Sequence, residues 1–255
     1  MQKTMGTSGS ETLSISANIF VGQTEAPLMV RPFISTMTKS ELMAVMVGGF
    51  ATVAGGILAI YVQWLTDIPG IAGHLLAASV MSAPASLVVA KIIYPELDKS
   101  TTQGDLKINI EKTNSNAMEA IASGATDGLK LAANVAGMLV AFISIIAMFN
   151  YLLSFANTSI DQMLGLIFQP LAWTMGISWE DSSIVGTLMG KKIAFTELIA
   201  FGDLRNIIEN GQISDRSALI ASYALCGFAN FGSIGIQLGG IGAMAPERKK
   251  DLSKL

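Results

Sequence analysis

Residues 18–33, NIFVGQTEAPLMVRPF, set a run of apolar side chains against Gln23, Thr24 and Glu25 and then stop at Pro27. Burying a carboxylate at membrane depth costs about 2.5 kcal/mol or more even on insertion scales, so such an acid marks a candidate site. The piece that carries it, residues 12–36, is too short and too interrupted to cross a bilayer, which takes about 20 predominantly apolar residues. It fits a re-entrant hairpin, in which two half-helices enter and leave on the same side.

Composition says that the solvent is a bilayer. Of 255 residues, 51% are hydrophobic and only 14% charged, with a mean hydropathy of +0.53; soluble domains carry about 25% charged residues. A net charge of −3 without a basic patch argues against nucleic acid as a partner. The single Cys226 excludes a disulfide framework or thiolate cluster, and the lone His74 reads as a packed or interfacial histidine. The polar start MQKTMGTSGSETLS is unlike a signal peptide, so insertion is expected from internal segments. Motifs of the GxSxG, HExxH and GxxxxGK kinds are missing, which argues against an enzyme.

Four stretches read as spans. Residues 42–66 carry Gly48, Gly49, Gly55 and Gly56; residues 68–90 contain Pro84; residues 131–156 are the most conventional span; residues 217–246 hold so many glycines that a break is expected near 227–235. A second short piece, residues 182–204, carries Glu197 and reads as a second hairpin. Hairpin followed by a broken, glycine-rich helix thus occurs twice, and corresponding interrupted segments in two halves are the pointer to a transporter with inverted repeats. The expected fold is an all-α polytopic membrane protein with two re-entrant helical hairpins and broken transmembrane helices.

The boundaries follow. Residues 1–36 form the first hairpin, 38–94 two transmembrane helices, 95–130 a connector, 131–156 a scaffold-type helix, 157–181 an outer interfacial helix, 182–206 the second hairpin, 214–246 a discontinuous helix and 247–255 a tail. Lys99, Lys107, Lys112 and Lys130 put the connector in the cytoplasm, and Arg248, Lys249 and Lys250 do the same for the tail. Residues 162–179 would lie in the outer interface with Trp173 and Trp179 at headgroup depth.

The amide, hydroxyl and carboxylate of Gln23, Thr24 and Glu25 suit a polar, uncharged ligand with several hydrogen-bonding groups. In residues 227–233, GFANFGS, Asn230 and Ser233 share a face if the backbone is helical there, and Phe228 and Phe231 offer flat apolar surface. Lys191, Lys192, Asp203 and Arg205 read as solvated or snorkelling at hairpin edges.

Longer strings carry a resemblance. ETLSISANIFVGQTEAPLMVRPFISTMTKSELMAVMVGGFATVAGGILAIY, LLAASVMSAPASL, GTLMGKKIAFTELIAF and YALCGFANFGSIGIQLGGIGAMAPERKKDL resemble the concentrative nucleoside transporters over essentially the whole chain. The resemblance implies a homotrimeric, multi-pass importer in the plasma or bacterial inner membrane. It would move nucleosides by alternating access, driven by sodium or, alternatively, by protons. It further implies that Gln23, Thr24 and Glu25 meet the nucleobase, that Glu197, Asn230 and Ser233 hold the ribose, and that Phe228 lies beside the ligand. The implied sodium set is Asn18, Thr52 and the carbonyls of Val21 and Val53. The family usually has spans before the first hairpin and one after residue 246, so a truncated, non-transporting fragment or subunit is one rival reading. A membrane enzyme using Glu25 and Glu197 as a carboxylate pair is another.

Overall fold

The computed structural model describes residues 2–104 and 116–255, and among these the regular structure is helical. In chain order the elements are α1 (Gln2–Met5), α2 (Gly9–Asn18), α3 (Glu25–Leu28), α4 (Arg31–Ile34), α5 (Lys39–Ala51), α6 (Gly55–Trp64) and α7 (Ile71–Ile93). There follow α8 (Ala117–Ser154), α9 (Ile160–Thr174), α10 (Trp179–Ala194), α11 (Glu197–Glu209), α12 (Asp215–Leu225), α13 (Phe231–Met244), a 3-10 turn at Pro246–Arg248 and α14 (Lys249–Leu252).

The two halves start their helices in similar ways. Ser8 and Glu11 form a capping box on α2, as Thr38 and Glu41 do on α5, each pair satisfying backbone N–H groups that a helix start leaves open. The Ser10 hydroxyl then donates to Glu41 Oε1 at 3.2 Å, tying the two helix starts together. In the second half Ser178 caps α10 and Ser214 caps α12, and the Ser214 hydroxyl donates to Asp181 Oδ2 at 2.7 Å. Behind the first pair, Glu41 Oε1 also accepts from Ser100 at 2.5 Å, and Glu11 pairs with Lys91 of α7 at 2.8 Å.

Three stretches, Lys39–Trp64, Ile71–Ile93 and Ala117–Ser154, are long and apolar enough to cross a membrane. The first of them is not one continuous helix. Residues 52–54 interrupt it between α5 and α6, where Thr52 takes an extended backbone, and Gly55 N donates to Phe20 O at 3.0 Å. Both glycine-rich spans are thus broken, the first at residues 52–54 and the second between Leu225 and Phe231.

Other boundaries shift as well. The helix expected at 131–156 begins at Ala117, because Asn116 caps it through Glu119 N and the following Ala-rich residues favour helix. The last part of the connector, residues 116–130, is thus cap and helix, and residues 105–115 lie outside the described residues. The interfacial segment 157–181 is also corrected. Its helix α9 ends at Thr174, Trp179 opens α10, and α9 packs along α10 at backbone contact. Glycines permit the approach: a Cβ on Gly186 would lie 2.7 Å from Gly165 O, and one on Gly190 3.0 Å from Gly165 N. The outer side of α9 remains apolar and exposed at Leu166, Ile167 and Trp173. The second hairpin runs through α10 and α11, from Trp179 to Glu209, beyond the 182–206 expected.

The packing crosses the two halves. Tyr61 of α6 and Leu65 just after it are buried with Val185, Leu188, Phe201 and Leu204 of α10 and α11, and the Tyr61 and Phe201 rings stack at 3.9 Å. Conversely, Ile241 of α13 is buried with Val30, Ile34, Leu42 and Met46 of the first half. Each broken helix therefore sends its C-terminal part to the opposite hairpin, and the two breaks meet. Gly227, with φ of 132°, would bring a Cβ within 2.9 Å of Phe50 O and 3.0 Å of Ala51 O.

Gly227→Ala is expected to destabilise the protein by about 1–3 kcal/mol, the usual range for a residue forced into a sparsely populated backbone conformation. Thermal unfolding of the purified variant checks this. A melting temperature equal to that of the wild type would show that the crossing tolerates a side chain.

Candidate functional site

The crossed breaks and the two hairpin turns enclose a cavity of about 320 Å³. The seven ligand-contact residues expected from the sequence all line it: Gln23, Thr24, Glu25, Glu197, Phe228, Asn230 and Ser233. They come from both halves of the chain. Gln23 and Thr24 sit in the turn after α2, Glu25 opens α3, Glu197 opens α11, Phe228 lies in the second break, Asn230 caps α13 and Ser233 lies in its first turn. Apolar walls are added by Ile57, Leu139 and Ile236. The mixture of apolar walls and a few convergent polar groups is that of a small-molecule site.

Helix starts aim the polar groups. Asn230 caps α13, and its Oδ1 accepts from Ser233 N at 2.7 Å. A backbone N–H can only donate, so the other end of the amide, Nδ2, is turned to Glu197 Oε2 at 3.0 Å. The opposite carboxylate oxygen of the buried Glu197 accepts from the Tyr61 hydroxyl at 3.4 Å. The Gln23 amide donates through Nε2 to Ser233 Oγ at 3.1 Å, joining the first hairpin to α13. The Thr24 hydroxyl donates to Glu25 Oε2 at 2.9 Å, and the Glu25 side chain is exposed towards the cavity opening.

Three expectations change here. Asn230 and Ser233 are related as cap and third residue, rather than as neighbours on one continuous helical face. Phe231 does not line the cavity and is exposed. Lys192, expected to be solvated, is buried and donates to Ala224 O at 3.1 Å, the end of α12 where carbonyls lack helical partners. Its neighbour Lys191 reaches outwards to Asp203 at 2.5 Å.

The structure also brings in residues that the sequence reading passed over. Tyr61 ends inside an apolar segment, and nothing local marks its hydroxyl. Gln237 left a signal: it is an amide in the otherwise apolar and glycine-rich stretch SIGIQLGG, residues 233–240. It is fully buried, and its Nε2 donates to Met46 O at 3.0 Å and to Gln23 Oε1 at 3.3 Å.

Behind the first hairpin turn, Asn18 and Thr52 meet. Asn18 Nδ2 donates to Gly48 O at 2.6 Å and to Thr52 Oγ1 at 2.5 Å, while the Thr52 hydroxyl donates back to Asn18 O at 2.9 Å. Gly48 allows this approach, because a Cβ there would lie 2.6 Å from Ile15 of α2. Asn18 Oδ1 is buried without a hydrogen-bond partner among the described residues. Val53 is buried in the break beside Thr52, and Val21 lies half-exposed in the turn that Phe20 O ties to Gly55.

Comparison with known proteins agrees with this architecture. A family profile described as "Na+ dependent nucleoside transporter C-terminus" matches residues 74–255. The chain is 40% identical over 277 aligned residues to "Sodium/nucleoside cotransporter 1" of Mus musculus, covering 100% of this chain and 42% of that protein. It is 41% identical to an "Uncharacterized transporter" of Haemophilus influenzae, of which it covers 63%. Among solved structures, CNTnw in an inward-facing substrate-bound state superposes with a TM-score of 0.79 at 43% identity, all of this chain matching 61% of that one. A CNTnw variant in an outward-facing state gives 0.87 at 41% identity, with 62% of that chain covered. The chain thus spans between two fifths and two thirds of the length of these relatives. The profile match over residues 74–255 settles the family: the chain belongs to the Na+ dependent nucleoside transporter family.

Proposed function

We propose that the protein containing this chain imports nucleosides across a cell membrane by alternating access, coupled to sodium. The observation that carries this reading is the convergence of seven residues from both halves on one cavity. Gln23, Thr24 and Glu25 from the first hairpin face Glu197, Asn230 and Ser233 from the second half. A nucleoside, with a base edge at one end and a diol at the other, suits such a two-ended set. In this reading the first three meet the base, Phe228 gives an aromatic face beside it, and Glu197, Asn230 and Ser233 take the ribose.

Sodium is assigned to Asn18, Thr52 and the carbonyls of Val21 and Val53. The buried and unpartnered Asn18 Oδ1 supports this, since a hard cation takes oxygen ligands where helices are interrupted. Ion binding would favour the arrangement in which α2, the turn after it and the α5–α6 break are held together. A nucleoside that contacts the same turn would then bind more tightly, because an ion shifts a population only through its different affinity for the two states.

The hairpins α2–α4 and α10–α11 would be re-entrant, and assembly as a homotrimer in the bilayer completes the reading. Helix α8 supports this last part. It exposes Met148, Leu152 and Phe155 along with much of its remaining length, an apolar surface suited to lipid or to neighbouring protomers.

Uridine uptake into membrane vesicles tests the coupling. Replacing sodium with choline at fixed pH is expected to abolish concentrative uptake. Unchanged uptake would remove sodium from the reading and favour proton coupling.

A further inference from the structure

We propose that Gln237 is a positioning residue that fixes which end of the Gln23 amide meets the ligand. The inference rests on the reading of Gln23 as a ligand contact. Its starting point is the carbonyl of Met46, which can only accept a hydrogen bond. The atom of Gln237 that faces it at 3.0 Å is therefore the amide nitrogen. The same nitrogen faces Gln23 at 3.3 Å, so the Gln23 atom there must be the acceptor, Oε1. That leaves Gln23 Nε2 on the side of Ser233 and the cavity, where it donates to Ser233 Oγ at 3.1 Å. Polarity thus runs in one direction from a backbone carbonyl of α5, through two amides, to the cavity wall.

The surroundings are shaped for this contact. A Cβ on Gly49 would collide with Gln237 Nε2 and lie 3.2 Å from Gln23 Cβ, so glycine leaves room for the amide between α5 and α13. Gln237 is fully buried, and its Oε1 has no hydrogen-bond partner among the described residues. An unmet buried acceptor destabilises a fold, and an apolar side chain of similar size would avoid it. The amide therefore serves something other than packing. Without it, either end of the Gln23 amide could turn to the cavity, and the side chain would also lose the contact that holds it in place.

A double-mutant cycle on the purified intact transporter tests this, with uridine affinity as the readout. Gln237→Met is expected to weaken uridine binding about tenfold in the wild-type background, and to change it by less than about twofold in the Gln23→Ala background. Gln237→Asn, which keeps an amide but shortens its reach, is measured in the same way and decides the matter should the methionine variant not fold. Equal losses in the two backgrounds would show a merely structural role and overturn the proposal, as would no loss in the first. Gln23→Ala binding uridine like the wild type would instead refute Gln23 as a ligand contact, and the proposal with it.

Discussion

Glu197→Gln is expected to weaken nucleoside binding by about 100-fold or more. Glu197 opens α11 behind the Thr196 cap, and its carboxylate already accepts from Asn230 Nδ2 and the Tyr61 hydroxyl. An ionised carboxylate has about four acceptor sites, so two remain for the hydroxyls of a ribose. Glutamine replaces one acceptor oxygen by an NH2 group. That group must face the Asn230 amide nitrogen, the Tyr61 hydroxyl or the ligand, and at least one strong acceptor is lost. Hydrogen bonds to charged groups contribute about 1.5–3 kcal/mol each, and each 1.4 kcal/mol is about tenfold in affinity. Equilibrium binding of uridine to the purified intact transporter measures the loss. A 2′,3′-dideoxynucleoside should bind weakly to the wild type and respond little to the substitution. Binding of uridine within about threefold of the wild type would refute the ribose assignment.

Asn18→Ala is expected to remove the sodium dependence of nucleoside binding. Couplings between ligands in one protein are commonly about 5–150-fold, so sodium should raise uridine affinity in the wild type by about tenfold or more. In the variant the ratio of affinities with and without sodium should fall below about twofold. Asn18 also donates to Gly48 O and Thr52 Oγ1, and loss of these contacts loosens α2 from α5 in either medium. The ratio separates the two effects, because loosening alone lowers affinity with and without sodium alike. A retained ratio would take Asn18 out of the sodium set.

Much of the site was legible in the chain because its signals are local. An acid, an amide and a hydroxyl in sequence at residues 23–25, inside an apolar stretch too short to span, mark a hairpin by hydropathy alone. Glu197 is exposed to the same argument. The α5–α6 break was less visible, since residues 42–66 are uncharged and apolar throughout, and Thr52 disturbs hydropathy very little. What ends α5 there is a tertiary bond, Gly55 N to Phe20 O, together with the crossing at Gly227. Lys192 was misread for a related reason. The carbonyl of Ala224 that receives it lies 32 residues away and is available only because α12 ends there.

By itself the sequence determined the solvent, the helical class, the repeated order of hairpin and glycine-rich span, and the polar residues that line the cavity. Composition and spacing carry those, because the bilayer penalises every charge and every unpaired backbone group independently of the partner. Only the tertiary structure decided which groups meet and in what polarity. Tyr61 reaches Glu197 across 136 residues, and Gln237 reaches Gln23 across 214. Such contacts depend on where two broken helices cross, and that is fixed by the absence of side chains at Gly49 and Gly227, where any Cβ would meet a neighbour.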